Sequence, residues 1–526
     1  MDALLGYTGF VGSNLRENLD PKTTKYFNST NFQEVRSHVF RDVYCACIPA
    51  VKWWANANPV EDMKTIDQIV ETLKTISCDR FVLISTIDVH DINHMHQTES
   101  CEKTSIEAYG YNRKIAEDSL REHFGDRLFV FRLPALFGMG LKKNLLYDLM
   151  NNNRVEHVNV NTCLQWYSLS WLSEDIIEGL LEKRPVTNLY SEPIETMDII
   201  GRFFSQVSQV SQVSQVPQVS RVNVNVNFHY GPVVYYNHTS NFGLKTKDDV
   251  LEQMENYIRV MNYIKYPNRM AISNMAWDPV YDDHAIFMMK RYGIKFLEIL
   301  PTKYESWQSL FDNSEDIPAF VKHFNENGIS VCSLQSVFYG VDGDFSTNDV
   351  GMANHLEKIM SLCQRIGGSV LVVGSPTKRS VPNSEHKVAD VLGAVQCGND
   401  IKVCLEPNSS QYGCCIGTTL DSCVSIIELD KKIDGGPGFY INFDTGNRMM
   451  ENDRLPRDSD NIGHIQISGP FLRPLRRWDY ALLESDGVLD FISELDDDTK
   501  VSLEVKVSIT GFGEQIRRFV DFMSKV

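Results

Sequence analysis

Three acidic residues close apolar runs in the C-terminal half of this chain: Glu406 after VCL, Asp444 after YINF and Glu504 after VSL. A carboxylate at the end of an apolar strand is costly to bury unless it is paired or bound to a metal. Gln466, in GHIQIS, falls on the run between Asp444 and Glu504. Glu406, Asp444, Gln466 and Glu504 turned towards one mouth would make a donor set for a divalent cation. Mg²⁺ or Mn²⁺ is favoured over Zn²⁺, because a glutamine amide oxygen ligates hard cations and replaces imidazole poorly on zinc. Strand alternation is expected to turn His464 away from that mouth.

At the other end of the chain, Gly6, Gly9 and Gly12 form Gly-x-x-Gly-x-x-Gly between a strand-like run and a helix-like one. Glycines at this spacing permit a tight turn, close approach of backbone N–H groups to a pyrophosphate, and close helix–strand packing. Gly6, Thr8, Gly9, Phe10, Val11 and Gly12 are therefore candidate dinucleotide contacts. The second strand should end near Asn28 and Ser29, with no Asp or Glu to take a ribose 2′-hydroxyl. That favours NADP over NAD.

These residues need elements to hold them. Before about residue 200, β-like runs (ALLGYTGFVG, DVYCACIPA, DRFVLIST, RLFVFRLPA) alternate with helical patterns. From Met270 a second alternation begins, with eight apolar runs: MAISNMAWD, IKFLEILPT, ISVCSLQS, SVLVVGSP, IKVCLEPN, FYINFDTG, GHIQIS and VSLEVKV. Strand–helix alternation implies parallel sheets with crossover helices, and eight such units are the number of a (β/α)₈ barrel. The expected architecture is α/β: a doubly wound parallel Rossmann sheet over 1–265, then a TIM barrel over 266–526. Residues 205–227, a decaying Ser-Gln-Val repeat, read as a low-complexity insertion unable to bury a core. CIPAVKWWANANP (47–59) pairs two tryptophans with a lysine, either as a substrate-facing patch or as packing. Asn274, Trp277, Glu298, Lys303, Gln335 and Lys378 also stand near barrel strand ends, and the lysines could take a phosphate or carboxylate.

Residues 1–200 resemble the extended short-chain dehydrogenase/reductase family, which includes the NAD-dependent epimerase/dehydratases of nucleotide sugars. The resemblance implies that Thr86 in ISTIDVH occupies the family's Ser/Thr position. It makes Tyr109 the proton donor or acceptor. Arg113 stands where the family's lysine lowers the phenol pKa and holds the ribose, and Lys114 lies one step round the helix. RLPALFG (132–138) would line the substrate side. Residues 270–526 resemble the xylose-isomerase-like barrels, among them sugar epimerases whose ligands are Glu, Asp, His and Glu. Carried over, Glu406 and Glu504 become both metal ligands and the acid/base pair, Asp444 a ligand, and Gln466 the histidine's replacement.

Composition narrows the partners. The hydrophobic fraction of 43% belongs to folded protein, and the formal charge of −18 argues against nucleic-acid and anionic-membrane partners. No run approaches a membrane span, and MDALLGYTGF leaves no room for a signal peptide, so a cytoplasmic location is expected. The 12 cysteines lack metal-finger spacing and read as reduced thiols. The expected molecule is a bifunctional carbohydrate enzyme acting on a sugar, sugar phosphate or nucleotide sugar, with homo-oligomers possible. The alternative is that one or both halves are degenerate sugar- or nucleotide-binding modules.

Overall fold

The computed structural model describes residues 1–90, 99, 105, 107–204, 234–235, 243–265, 268–312, 316–394, 401–431, 439–457 and 460–526. The Ser-Gln-Val repeat lies outside them. The chain divides into two compact units, Met1–Met261 and Asn262–Val526. The helix Lys247–Tyr263 runs through this division.

In the first unit, β1 (Asp2–Leu5), β2 (Thr24–Phe27), β3 (Val39–Cys45), β4 (Ser77–Thr86) and β5 (Leu128–Leu133) build the main sheet with β8 (Val186–Asn188). Its order is β2-β1-β3-β4-β5-β8, and all pairings are parallel. Side chains alternate between faces, and both faces are apolar. Ala3, Leu5, Phe81, Leu83 and Val130 join one buried cluster, while Leu4, Val82, Ile84, Phe129 and Phe131 join the other. That is the doubly wound arrangement expected from the sequence.

A smaller sheet contains β6 (Ala135–Phe137), β7 (Thr162–Ser168), β9 (Pro193–Glu195) and β10 (Val234–Tyr235). Its order is β10-β7-β6, with β9 antiparallel to β7.

In the second unit, eight strands close into a parallel barrel: β11 (Met270–Ser273), β12 (Phe296–Ile299), β13 (Ser330–Leu334), β14 (Val370–Val373), β15 (Lys402–Leu405), β16 (Tyr440–Asp444), β17 (Ile462–Ile467) and β18 (Val501–Leu503). β18 pairs with β11 to complete the ring. Each apolar run named above contains one strand, and helices separate most neighbours. No helix among the described residues is long and apolar enough to cross a membrane.

Candidate functional site

The C-terminal strand ends of the barrel surround a cavity of about 180 Å³, lined by Glu406, Asp444, Glu504, Gln335, Asn447 and Tyr412 among others. The three acids named from the sequence thus share one space, and among the described residues no Lys or Arg lines it.

Each acid is placed by local chemistry. Asp444 caps the helix Thr445–Glu451, its Oδ1 accepting from the Asn447 backbone N–H at 2.6 Å. Its Oδ2 accepts from Ser468 Oγ at 2.6 Å. Glu406 Oε1 accepts from Asn408 Nδ2 and from Asn447 Nδ2, each at 2.7 Å. Buried Arg379 fixes Asn408 in turn, donating to its Oδ1 at 2.5 Å and to the Glu406 carbonyl at 2.8 Å. A Cβ at Gly374 would come within 2.8 Å of Glu406 Oε2, so glycine there leaves that oxygen room.

Burial and crowding then act on the protons. Burial pushes the Glu406 carboxyl up to about 8, helped by the charge of Asp444. Burial likewise lifts Asp444 to about 6, against the hydrogen bonds from Ser468 and Asn447. Glu504 is carried well above the ordinary range by burial, then by the charges of Glu298, Asp444 and Glu406. Like charges in a dry site favour a shared proton or a bound cation.

Below this layer the barrel interior holds a second carboxylate site that the sequence reading did not assemble. Fully buried Glu298 on β12 accepts from His464 Nε2 (2.7 Å) and Ser333 Oγ (3.1 Å) on Oε2. Its Oε1 accepts from Gln466 Nε2 (2.9 Å), Gln335 Nε2 (3.2 Å) and Ser502 Oγ (3.2 Å). Burial alone would raise this carboxyl, but the hydrogen bond and charge from His464, with the other donors, hold it below its ordinary value.

Two sequence expectations change here. His464 does not turn away from the interior. Residues two apart on a strand share a face, so His464 and Gln466 both point inward, with His464 on Glu298. Gln466 is not gathered with the three acids either: its Nε2 is engaged by Glu298, and its Oε1 accepts from Asn442 Nδ2 at 2.6 Å. Among the described residues, no three His, Cys, Asp or Glu side chains are gathered closely enough to hold a metal ion. By charge, Glu406, Asp444 and Glu504 still fit a hard cation, since no basic side chain lines their cavity. The fourth donor is absent from that set.

The two lysines near strand ends are also engaged. Lys303 donates to the carbonyls of Asn274 (2.6 Å) and Trp277. Lys378 donates to those of Val341 and Gly343 (2.9 Å). Both ammonium groups are thus held by backbone carbonyls.

In the first unit, Gly6 has φ +82°, and a Cβ there would meet the Ala46 carbonyl at 2.5 Å. A Cβ on Gly12 would meet the Gly6 carbonyl at 2.1 Å, whereas one on Gly9 finds its nearest neighbour at 3.3 Å. The turn thus runs tight between the ends of β1 and β3, and Thr8 and Gly9 are exposed on it. Phe10 and Val11 are instead packed, partly buried, against the apolar clusters. Asn28 Nδ2 donates to the Tyr7 hydroxyl at 3.2 Å, tying the end of β2 to the glycine turn, and Ser29 is exposed. Arg16 lies over the rings of Tyr7 and Tyr26, 5.5 and 5.1 Å from their centroids.

Thr86 ends β4, and Tyr109 stands in the first turn of the helix Ala108–Phe124. Burial raises the Tyr109 phenol, as does the charge of Asp88, while Arg113, Thr86 and Lys52 oppose the rise.

Arg113 is committed elsewhere. Its guanidinium donates to Asp62 at 2.5 and 3.0 Å and to the Pro49 carbonyl at 2.6 Å. It lies 4.1 Å from the Tyr109 ring centroid, so it supports that ring but has no arm left for a ribose. Lys114 pairs with Asp118 one helical turn on, away from Tyr109. Arg132 of RLPALFG forms a buried pair with Glu117 at 2.6 Å. The residue that sequence spacing could not have assigned is Lys52, whose ammonium sits 2.9 Å from Asp88 Oδ1.

The chain matches no protein-family model, and no curated protein matches it. Solved structures similar to it include 3-keto-D-glucoside 4-epimerase from E. coli (19% identity, 47% of this chain and 97% of that one, TM-score 0.37). Another is UDP-glucuronic acid 4-epimerase from Bacillus cereus in complex with UDP-glucuronic acid and NAD (16% identity, 50% and 100%, TM-score 0.36). A third is dTDP-4-dehydrorhamnose reductase from Bacillus anthracis in complex with NADP (14% identity, 49% and 96%, TM-score 0.37). Likeness at this level assigns no activity to this chain.

Proposed function

We propose that this chain is a two-unit carbohydrate enzyme. The second unit would be a sugar or sugar phosphate isomerase/epimerase working by enolisation. The first would be an NAD(P)-dependent epimerase, dehydratase or reductase of nucleotide sugars. The observation that carries the barrel reading is the convergence of Glu406, Asp444 and Glu504 on one cavity without a basic side chain in its lining.

In that cavity Glu406 is the group to take a proton from the carbon beside a sugar carbonyl. Its Oε1 is held by Asn408 and Asn447, and Oε2 faces the space kept by Gly374. A carboxyl raised to about 8 is a stronger base than an ordinary glutamate and still gives its proton back near neutrality. Glu504, in the same cavity, would start protonated and give its own proton to the other carbon or the other face, leaving Glu406 protonated and Glu504 ionised until both exchange with solvent. Asp444, braced by Ser468 and the helix N–H, would hold orientation and charge. A divalent cation that polarised the carbonyl would require Glu406, Asp444 and Glu504 to draw together, since they are not gathered closely enough to hold one as they stand. Gln466 could join those three only by giving up Asn442.

For the first unit, the glycine turn and the Thr86–Tyr109 pair support a cofactor and a proton-transfer tyrosine. Arg16 supports NADP over NAD, because a guanidinium near the end of β2 suits a 2′-phosphate. An Arg16→Ala variant should weaken NADPH binding about tenfold or more while NADH binding changes little, by fluorescence titration. Equal loss for both cofactors would remove the NADP preference.

The decisive experiment for the barrel is a panel of sugars, sugar phosphates and nucleotide sugars followed by deuterium uptake from solvent. Uptake at a carbon next to a carbonyl, abolished in Glu406→Gln and Glu504→Gln, is expected. Uptake that survives both substitutions would refute the reading.

A further inference from the structure

The run KWW, which the sequence marked without assigning, begins the helix Lys52–Ala57 just after β3. Its lysine turns towards the end of β4, while Trp53 is 71% exposed. Lys52 Nζ lies 2.9 Å from Asp88 Oδ1 and 3.3 Å from Glu107 Oε2. Asp88 belongs to the turn Ile87–Val89, and Thr86 Oγ1 reaches its Oδ2 at 3.3 Å. The Asp88 backbone N–H donates back to the same hydroxyl at 3.1 Å. The Tyr109 backbone N–H donates to Asn56 Oδ1 at 2.9 Å, on the same helix as Lys52, and a Cβ on Gly110 would meet the Asp88 carbonyl at 1.8 Å. Contacts therefore run from the ammonium through Asp88 to the Thr86 hydroxyl, and both the Lys52 helix and the Asp88 turn pack on the first turn of the tyrosine helix.

We infer that Lys52, paired with Asp88, is a positioning residue for proton transfer at Tyr109, adding from the β3 side to the positive charge that Arg113 brings to the ring and that Lys114 does not. This rests on reading the first unit as a cofactor enzyme with Tyr109 as its acid/base.

The electrostatic logic is direct. A buried phenol is held neutral by desolvation, and an adjacent carboxylate makes ionisation harder still. Asp88 is that carboxylate, and it also orients Thr86. Lys52 lets Asp88 do the second without the full cost of the first. The described charged groups around Tyr109 are few. Asp88 comes from the turn after β4, Lys52 from its own helix, and Glu107 precedes the tyrosine helix. Arg113 follows on that helix, neutralised by Asp62 from the helix Pro59–Leu73. Lys52 is the described cation paired with Asp88, so its removal leaves the Asp88 charge uncompensated at its source, with Arg113 alone facing the ring.

The test is the titration of the phenol itself. With 3,5-difluorotyrosine placed at position 109 of the full chain, ionisation is lowered into a convenient range and read by ¹⁹F NMR. Lys52→Met should move that titration to higher pH, leaving about a tenfold smaller phenolate fraction at fixed pH. Lys52→Arg should stay near wild type. Asp88→Asn should move it to lower pH, and the double variant should return towards wild type. A merely structural Lys52 would not give this sign pattern. An unchanged titration in a folded Lys52→Met protein overturns the inference. If Lys52→Met does not fold, Lys52→Gln and Asp88→Asn carry the same test. NADPH and NADH titrations of the wild-type chain run beside it. Failure of both cofactors to bind refutes the cofactor reading, while the ¹⁹F shifts still decide whether Lys52 governs the phenol.

Discussion

Glu298 shows how a single side chain organises a site it does not enter. Its two oxygens collect His464, Gln466, Gln335, Ser333 and Ser502 from the strands around it. Removing it strands several buried donors together, and breaking a buried pair by deleting one partner costs about 3–5 kcal/mol. Glu298→Ala should lower the barrel's unfolding free energy by about that much in denaturant titration; a loss under about 1 kcal/mol would show that the network is not structural. The cavity acids act in the opposite direction. Unfolded carboxyls ionise near their ordinary values, whereas native Asp444 and Glu406 hold protons to about 6 and about 8. From the ordinary carboxylate range up to about 8 the unfolded state therefore carries fewer protons than the native one, and stability falls as pH rises. The melting temperature of the metal-free barrel should drop between pH 5 and pH 8. Glu406→Gln should flatten that slope, and Mn²⁺ or Mg²⁺ should offset it. A slope indifferent to both would mean these acids are not coupled as described.

At the scale of elements, the glycine turn makes its three glycines unequal. Gly6 is left-handed, and both Gly6 and Gly12 pack against backbone carbonyls closer than any Cβ could. Gly12→Ala must displace the helix Phe10–Arg16 from β1, and Gly6→Ala adds backbone strain of about 1–3 kcal/mol. Both should lower the melting temperature of the first unit and abolish NADPH binding. Gly9→Ala, with its nearest contact at 3.3 Å and no positive φ, should leave the fold intact and weaken cofactor binding only where a pyrophosphate must approach. Calorimetry and cofactor titration on the three variants check the ranking. Equal effects at 6, 9 and 12 would contradict it. The barrel strands follow the same reasoning. β15 and β18 end where Glu406 and Glu504 leave the apolar run, and β16 ends on Asp444 itself, which is why the acids collect at one rim.

For the whole molecule, the proposed reading gives each compact unit its own site, and separable responses follow from it. Calorimetry of the full chain should show NADPH raising one transition and Mn²⁺ raising the other, each by mass action on its own unit. A single transition moved equally by both ligands would contradict two independent sites. The sequence by itself determined a parallel α/β sheet followed by an eight-stranded parallel barrel, because hydrophobic period and strand–helix alternation are local properties. It also determined where Glu406, Asp444 and Glu504 stand, since a strand's end is written where its apolar run stops. Only the tertiary structure decided what the polar side chains do. Gln466 turns to a glutamate 168 positions away, Arg113 to an aspartate 51 away, and Lys52 to one 36 away. Hydrogen bonds and ion pairs of that kind form between whichever groups the packed strands and helices bring within about 3 Å, and spacing along the chain carries no record of that meeting.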